Sequence, residues 1–226
     1  MTESSAPKTE SLTVNTEDLV ISGGRQLRRI AKPRRQASYD DEVRVLIHAA
    51  QQVMAEKGRS AQPKVADIVG AAGMSNQAFY RHFRSRDDVI VATYEQGLLA
   101  VAEYLDHRIG KVTGSENRVR AWIEGVLNQI EDPDLSELSG NILWNVNQIN
   151  RGSSEIEPVG HTRILRSLSS VLTAGGIAEP EQSALLVQTL VMGITSRHME
   201  FGHRPTSEER EALVQFCLQG LGPLDD

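Results

Sequence analysis

Asp67-Ile68-Val69-Gly70-Ala71-Ala72-Gly73-Met74-Ser75-Asn76-Gln77-Ala78-Phe79-Tyr80-Arg81-His82-Phe83 is the stretch that decides the fold of this 226-residue chain. It reads as a short apolar helix ending near Ala72, a Gly73 free to take positive φ, and a Ser75 placed to cap a second short helix. Two short helices joined by a glycine-bearing turn make a helix-turn-helix. Phe79 and Phe83, four residues apart, share one face of the second helix and anchor it to a small core. Asn76, Gln77, Tyr80, Arg81 and His82 take the other faces. Amide side chains pair with adenine edges, and Tyr80 and Arg81 reach phosphates, so these residue types suit a helix laid in a major groove. They would serve equally as the solvated face of an ordinary amphipathic helix.

A unit this small cannot bury a core alone, so the flanking sequence must steady it. Upstream, Asp40, Asp41 and Glu42 open a helix at the end where the macrodipole favours negative charge. Val43, Leu46, Ile47, Ala50, Val53 and Met54 then recur at helical spacing up to Gly58. Pro63 starts the next helix, whose Val65, Ile68 and Val69 face the first. Downstream, Ser85 with Asp88 forms a capping-box-like start to a long helix reaching about Asp106. Further apolar stripes follow at helical period: Val119 to Ile130, Leu135 to Ile149, and Ile164 to Leu172, the last stopped by Gly175-Gly176.

Glu179-Pro180 opens a helix apolar on more than one face, through Leu185, Leu186, Leu190, Val191 and Ile194, and Gly193 permits close approach of another helix. Thr206 with Glu209 caps a last helix bearing Leu213, Val214, Phe216, Cys217 and Leu221. Packing this final pair against its own copy is the simplest way to bury the excess apolar surface. No stretch reads as a run of strands. The expected fold is therefore all-α: a three-helix head carrying the helix-turn-helix over residues 39–86, followed by a larger helical body over 87–226 whose last two helices are expected to dimerise. Residues 1–38 read as a disordered extension.

The net charge of −6 would discourage nucleic-acid binding if it were evenly spread. It is not. Residues 25–86 hold 13 Lys/Arg against 5 Asp/Glu, whereas residues 87–226 hold 10 against 21, so a basic head is joined to an acidic body. Directly before the head, the segment 25–36 carries Arg28, Arg29, Lys32, Arg34 and Arg35 with no acidic residue. It is either a solvated linker or an arm that lies along DNA.

No apolar run approaches the roughly 20 residues that span a bilayer, and the N-terminus is polar and acidic, so a cytoplasmic location with no membrane partner is expected. The lone Cys217 excludes an intramolecular disulfide framework and reads as a small apolar filler in a helix. The six histidines show no tight pairing, and no glycine-rich phosphate loop or nucleophile elbow occurs. Neither a metal, a cofactor nor an enzymatic activity is expected. Trp122, Asn141, Trp144, Asn145, Gln148, His161, Met192 and Met199 combine apolar walls with a few hydrogen-bonding groups and are the candidates for a small-molecule pocket.

Residues 43–94 resemble the DNA-binding head of the tetracycline-repressor (TetR) family of bacterial regulators. The resemblance rests on Ala49, Ala50 and Gly58, on Asp67-Ile68-Val69, on Ala72-Gly73-Met74-Ser75, on Tyr80-Arg81-His82-Phe83 and on Ser85-Arg86-Asp87-Asp88. It implies an all-helical homodimer joined through the last two helices, a double-stranded DNA operator and a small effector bound in the body. By position it implies that Ser75, Asn76, Gln77, Tyr80 and His82 face DNA, with Lys64 and Arg86 near phosphate. Gln77 stands where the family has glycine, and Ala78 and Lys64 stand where it has threonine, so base contacts do not transfer directly. The function expected is a ligand-responsive homodimeric repressor. An alternative is a dimeric DNA-binding interaction or nucleoid-organising protein with a protein partner and no small effector.

Overall fold

The first helix begins earlier than its acidic residues suggest: α1 runs Arg34–Lys57. A proline at position 33 explains the start, since helices tolerate proline at their N-terminal boundary and not inside. Arg34 and Arg35 of the expected basic arm are therefore helical. Arg28, Arg29 and Lys32 lie outside the described residues, as does the expected disordered extension up to residue 33. The computed structural model describes residues 34–150, 158–202 and 204–225.

After α1 come α2 (Val65–Ala72), α3 (Asn76–His82) and α4 (Arg86–Gly110). The body continues with α5 (Ser115–Leu127), a 3-10 turn (Asn128–Ile130), α6 (Pro133–Asn150), α7 (Val159–Ala174), α8 (Pro180–Phe201) and α9 (Ser207–Leu221). The punctuation is chemical. Gly73 sits at φ 62°, closing α2 with bonds from its own N–H to Gly70 O and from Met74 N–H to Val69 O. Ser85 with Asp88, and Thr206 with Glu209, form reciprocal capping boxes at the starts of α4 and α9.

Two apolar clusters divide the chain. The head cluster joins Leu46, Ala50, Val53 and Met54 of α1 to Ile68 and Val69 of α2, Phe79 of α3, and Val89 and Ile90 of α4. Ile142 and Val146 of α6 complete it, so the head is sealed by a body helix and not by its own three helices alone. The body cluster centres on fully buried Trp122, Ile123, Leu127, Ile164, Leu168 and Leu172, with Val191 of α8 and Val214 and Cys217 of α9. Tyr94 of α4 packs against both clusters.

Long α4 is gripped by α7 through Gly160, where a Cβ would come within 2.4 Å of Leu98 Cβ. The Glu95 carboxylate accepts the Gly160 N–H at 2.7 Å and fixes that approach. Gly193, expected to admit a helix, meets nothing within 4 Å among the described residues. Among the described residues no helix is long and apolar enough to cross a membrane.

Candidate nucleic-acid interface

Helix α3 is held from beneath and capped at its front. Ser75 Oγ accepts the Ala78 N–H at 3.1 Å, which spares one of the orphan amides at the helix start. Phe79 is fully buried and meets Phe83 at 5.7 Å between ring centroids. Ala78 also turns inward. Ser75, Asn76 and Gln77 are exposed, and Tyr80 is 58% exposed although its ring edge rests on Phe79. A large aromatic left this exposed on a polar face is unusual for a surface with no partner. These four residues form a compact polar surface on one side of α3.

His82 does not belong to that surface. Its side chain is 1% exposed, its Nε2 lies 2.6 Å from Glu42 Oε2, and its ring meets Tyr39 edge-on at 4.3 Å. A carboxylate only accepts, so Nε2 is the donor here, and Nδ1 is buried with no hydrogen-bond partner among the described residues. His82 therefore pins α3 to α1 in place of reaching outward, which corrects its expected position facing DNA. The physical reason is its spacing: three residues beyond Phe79, it shares the flank of the core face. Glu42 also accepts from Arg81 Nη2 at 3.1 Å. The bond from His82, with the Arg81 charge behind it, holds the Glu42 carboxyl below its ordinary 4.5. Arg81 remains largely exposed, but part of its charge is already answered.

Lys64 is exposed at the N-cap of α2, where its backbone N–H donates to the Asp67 carboxylate at 2.9 Å. Asp67 also pairs with Lys57 at 2.9 Å, and these two partners, Lys57 first, hold its carboxyl below the ordinary value. Arg86 is more engaged than expected. Its Nη1 donates to Gln62 Oε1 at 2.8 Å and its Nε to Asp87 Oδ1 at 2.8 Å, which orients the guanidinium beside the start of α2. Lys64 and Arg86 thus flank α2 and α4 at their N-terminal ends, the places where helix dipoles favour phosphate. Sequence reading misses Glu42 and Gln62, because each acts through an interaction formed only on folding.

Residues 46–93 match the family model described as bacterial regulatory proteins, tetR family. That segment is similar to the DNA-binding head of TetR-family regulators. The matched segment spans the helix-turn-helix and the start of α4. No curated protein sequence matches the chain. Among solved structures, Salmonella enterica GusR has a similar fold at 18% identity, with a TM-score of 0.58 over 80% of this chain and 95% of that one. The regulator FadR from Bacillus subtilis, in complex with stearoyl-CoA, aligns at 16% identity and a TM-score of 0.54, covering 79% of this chain and 99% of that one. RolR in complex with resorcinol aligns at 18% identity and a TM-score of 0.56, covering 83% and 91%. At these identities the likeness is one of fold.

In the body the candidate pocket residues are dispersed over four helices. Trp122 of α5 and Asn141 and Asn145 of α6 are buried, whereas Trp144, Gln148, His161, Met192 and Met199 are half-buried. His161 Nε2 lies 3.0 Å from the Tyr94 hydroxyl, whose pKa burial pushes up to about 12. Asn145 Nδ2 donates to Asn141 O at 2.8 Å within the same helix. Trp122 Nε1, Asn141 Nδ2, Asn145 Oδ1 and Gln188 Oε1 are buried without partners. A cleft of about 270 Å³ is lined instead by Asp106, Ile109, Arg118, Ser167, Ser170, Val171 and Ala174. It contains none of the expected pocket residues, its walls coming from α4, α5 and α7.

Proposed function

We propose that this chain is a ligand-responsive homodimeric repressor that acts in the cytoplasm and reads its operator with α3. The observation that carries the reading is the exposed set Ser75, Asn76, Gln77 and Tyr80 on a capped helix whose opposite side is locked into the head core. Asn76 and Gln77 would contact base edges, while Tyr80, Lys64 and Arg86 would meet phosphates and fix the register. Two heads, one from each copy, would enter major grooves one helical turn apart.

Dimerisation is supported by apolar residues that α8 and α9 leave outside: Leu186 is 65% and Phe216 67% exposed, with Leu185 and Phe201 also exposed. Gly193, seven residues beyond Leu186 and without a neighbour among the described residues, lies on the same side of α8 and gives a second copy room to approach. A ligand response is supported by the unpaired buried atoms on α5, α6 and α8, since a buried polar group without a partner asks for one. Fold relatives that hold stearoyl-CoA and resorcinol agree with a body able to accept small organic molecules.

The test starts from a pool of random double-stranded DNA, from which the full chain should select a discrete motif. Gln77→Ala should then weaken binding to that motif by about 1 to 3 kcal/mol through the lost base contact, and Tyr80→Ala should weaken it through the lost phosphate contact, while helicity and mass are unchanged. Unaltered affinity in both variants would remove α3 from the interface.

The basic arm makes a separate prediction. Truncation of residues 1–33 leaves α1 whole and removes Arg28, Arg29 and Lys32. If these touch phosphate, the dependence of log affinity on log salt should become shallower by about 0.9 for each phosphate that is no longer neutralised. An identical slope would make the segment a linker.

A further inference from the structure

We infer that Arg59 is a latch through which α8 sets the position of the DNA-binding head, giving the proposed dimer helix a line to the head that bypasses α4. Arg59 lies in the segment between α1 and α2, and its guanidinium crosses to the far end of the chain. Nη2 donates to Met199 O at 2.6 Å and Nη1 to Glu200 O at 2.8 Å. These carbonyls belong to the last turn of α8, which ends at Gly202 with φ 67°. Last-turn carbonyls have no partner within their own helix and carry the negative end of the macrodipole, so a bidentate cation is the complement they lack.

The crossing is shaped to fit. At Gly140 of α6 a Cβ would fall 2.5 Å from Arg59 Nη2 and 3.3 Å from Met199 O, so even a methyl group there would push the guanidinium off its acceptors. A second tie acts on the same segment: Gln62 Oε1 accepts from Arg86 at the start of α4. The segment that precedes the helix-turn-helix is thus held by the end of α8 and by the start of α4. A shift of α8 along its axis moves the acceptors of Arg59 directly. Leu185 and Leu186 lie on that same helix, so a change in how two copies meet would reach the head through Arg59.

The latch rests on the repressor reading for its consequence but not for its detection. In the full chain without DNA, Arg59→Ala should make amide hydrogen exchange several-fold faster both at residues 58–63 and at 196–201, leaving α5 and α7 as they are. On the motif selected by the wild-type chain, Arg59→Ala and Gly140→Ala should each weaken binding roughly 5- to 10-fold, the low end of ordinary coupling between sites. The double variant should bind little more weakly than Arg59→Ala alone, because the guanidinium the methyl would displace is gone and Met199 O, 3.3 Å from the added Cβ, need yield by only a few tenths of an ångström. Its salt slope should equal that of the wild type, which separates a latch from a phosphate ligand.

Arg59→Lys keeps the charge without the fork and should give a smaller loss of the same sign, which holds the test open should the alanine variant fold poorly. Exchange at 58–63 and 196–201 unaltered by both Arg59 variants, losses that multiply in the double variant, or a salt slope shallower by one phosphate would each overturn the latch. A wild-type chain that selects no DNA would overturn the repressor reading, and the exchange experiment would still decide whether Arg59 holds the two regions together.

Discussion

Phe79→Ala is expected to melt the head while the body stays helical. Phe79 is fully buried among α1, α2 and α4, and its ring meets both Phe83 and Tyr80. Truncating a buried Phe to Ala costs about 3 to 5 kcal/mol, from lost transfer energy and from the cavity that remains. Domains have only about 5 to 15 kcal/mol in total, and a cluster this small sits at the low end. The body cluster does not contain Phe79, so α5, α7, α8 and α9 keep their own packing, while α6 loses the head-side partners of Ile142 and Val146. Thermal unfolding followed by helicity should therefore split into two steps, with the early one absent in the wild type, and DNA binding should disappear above the early step. A single transition at the wild-type temperature would mean that Phe79 is not a core residue.

The second large effect is expected at the proposed twofold. Leu186→Arg with Phe216→Arg should convert the dimer into a chain that sediments at 24.9 kDa. Both positions are exposed in the single chain, so neither change disturbs its core. In a twofold interface each substitution appears twice, and an uncompensated buried charge costs roughly 3 to 5 kcal/mol, so the sum exceeds what most interfaces contain. Circular dichroism should stay as in the wild type. Operator affinity should collapse with the dimer, since one head makes only half of the interactions. A variant that remains dimeric would move the interface away from Leu186 and Phe216.

What the sequence makes legible is whatever depends on near neighbours. Ser75 before α3, Ser85 with Asp88, Thr206 with Glu209 and Gly73 at its turn can all be read, because each works within four residues of itself. The stripe from Val43 to Met54 is equally plain, yet it does not locate the start of α1. Residues 34–38 carry no apolar periodicity, so Asp40 looks like the first residue with a helical role. His82 misleads for the opposite reason: its type matches the reading face while its partner, Glu42, lies 40 residues upstream. Asn141 and Asn145, four residues apart, are both buried, and only the packing of α6 reveals which side faces inward. Arg59 gives no local signal at all, its acceptors lying 140 and 141 residues away.

The single thiol has a practical side. Cys217 is 4% exposed between α9 and the body core, and burial pushes its pKa up to about 11. Only the thiolate reacts with alkylating reagents, so at neutral pH this sulfur is chemically silent. The natural chain is thereby a ready background for site-specific probes. A cysteine introduced on the exposed surface of α2, as by Ala71→Cys, is the one that takes a maleimide dye, and the separation of two such dyes would report how far apart a pair of heads stands.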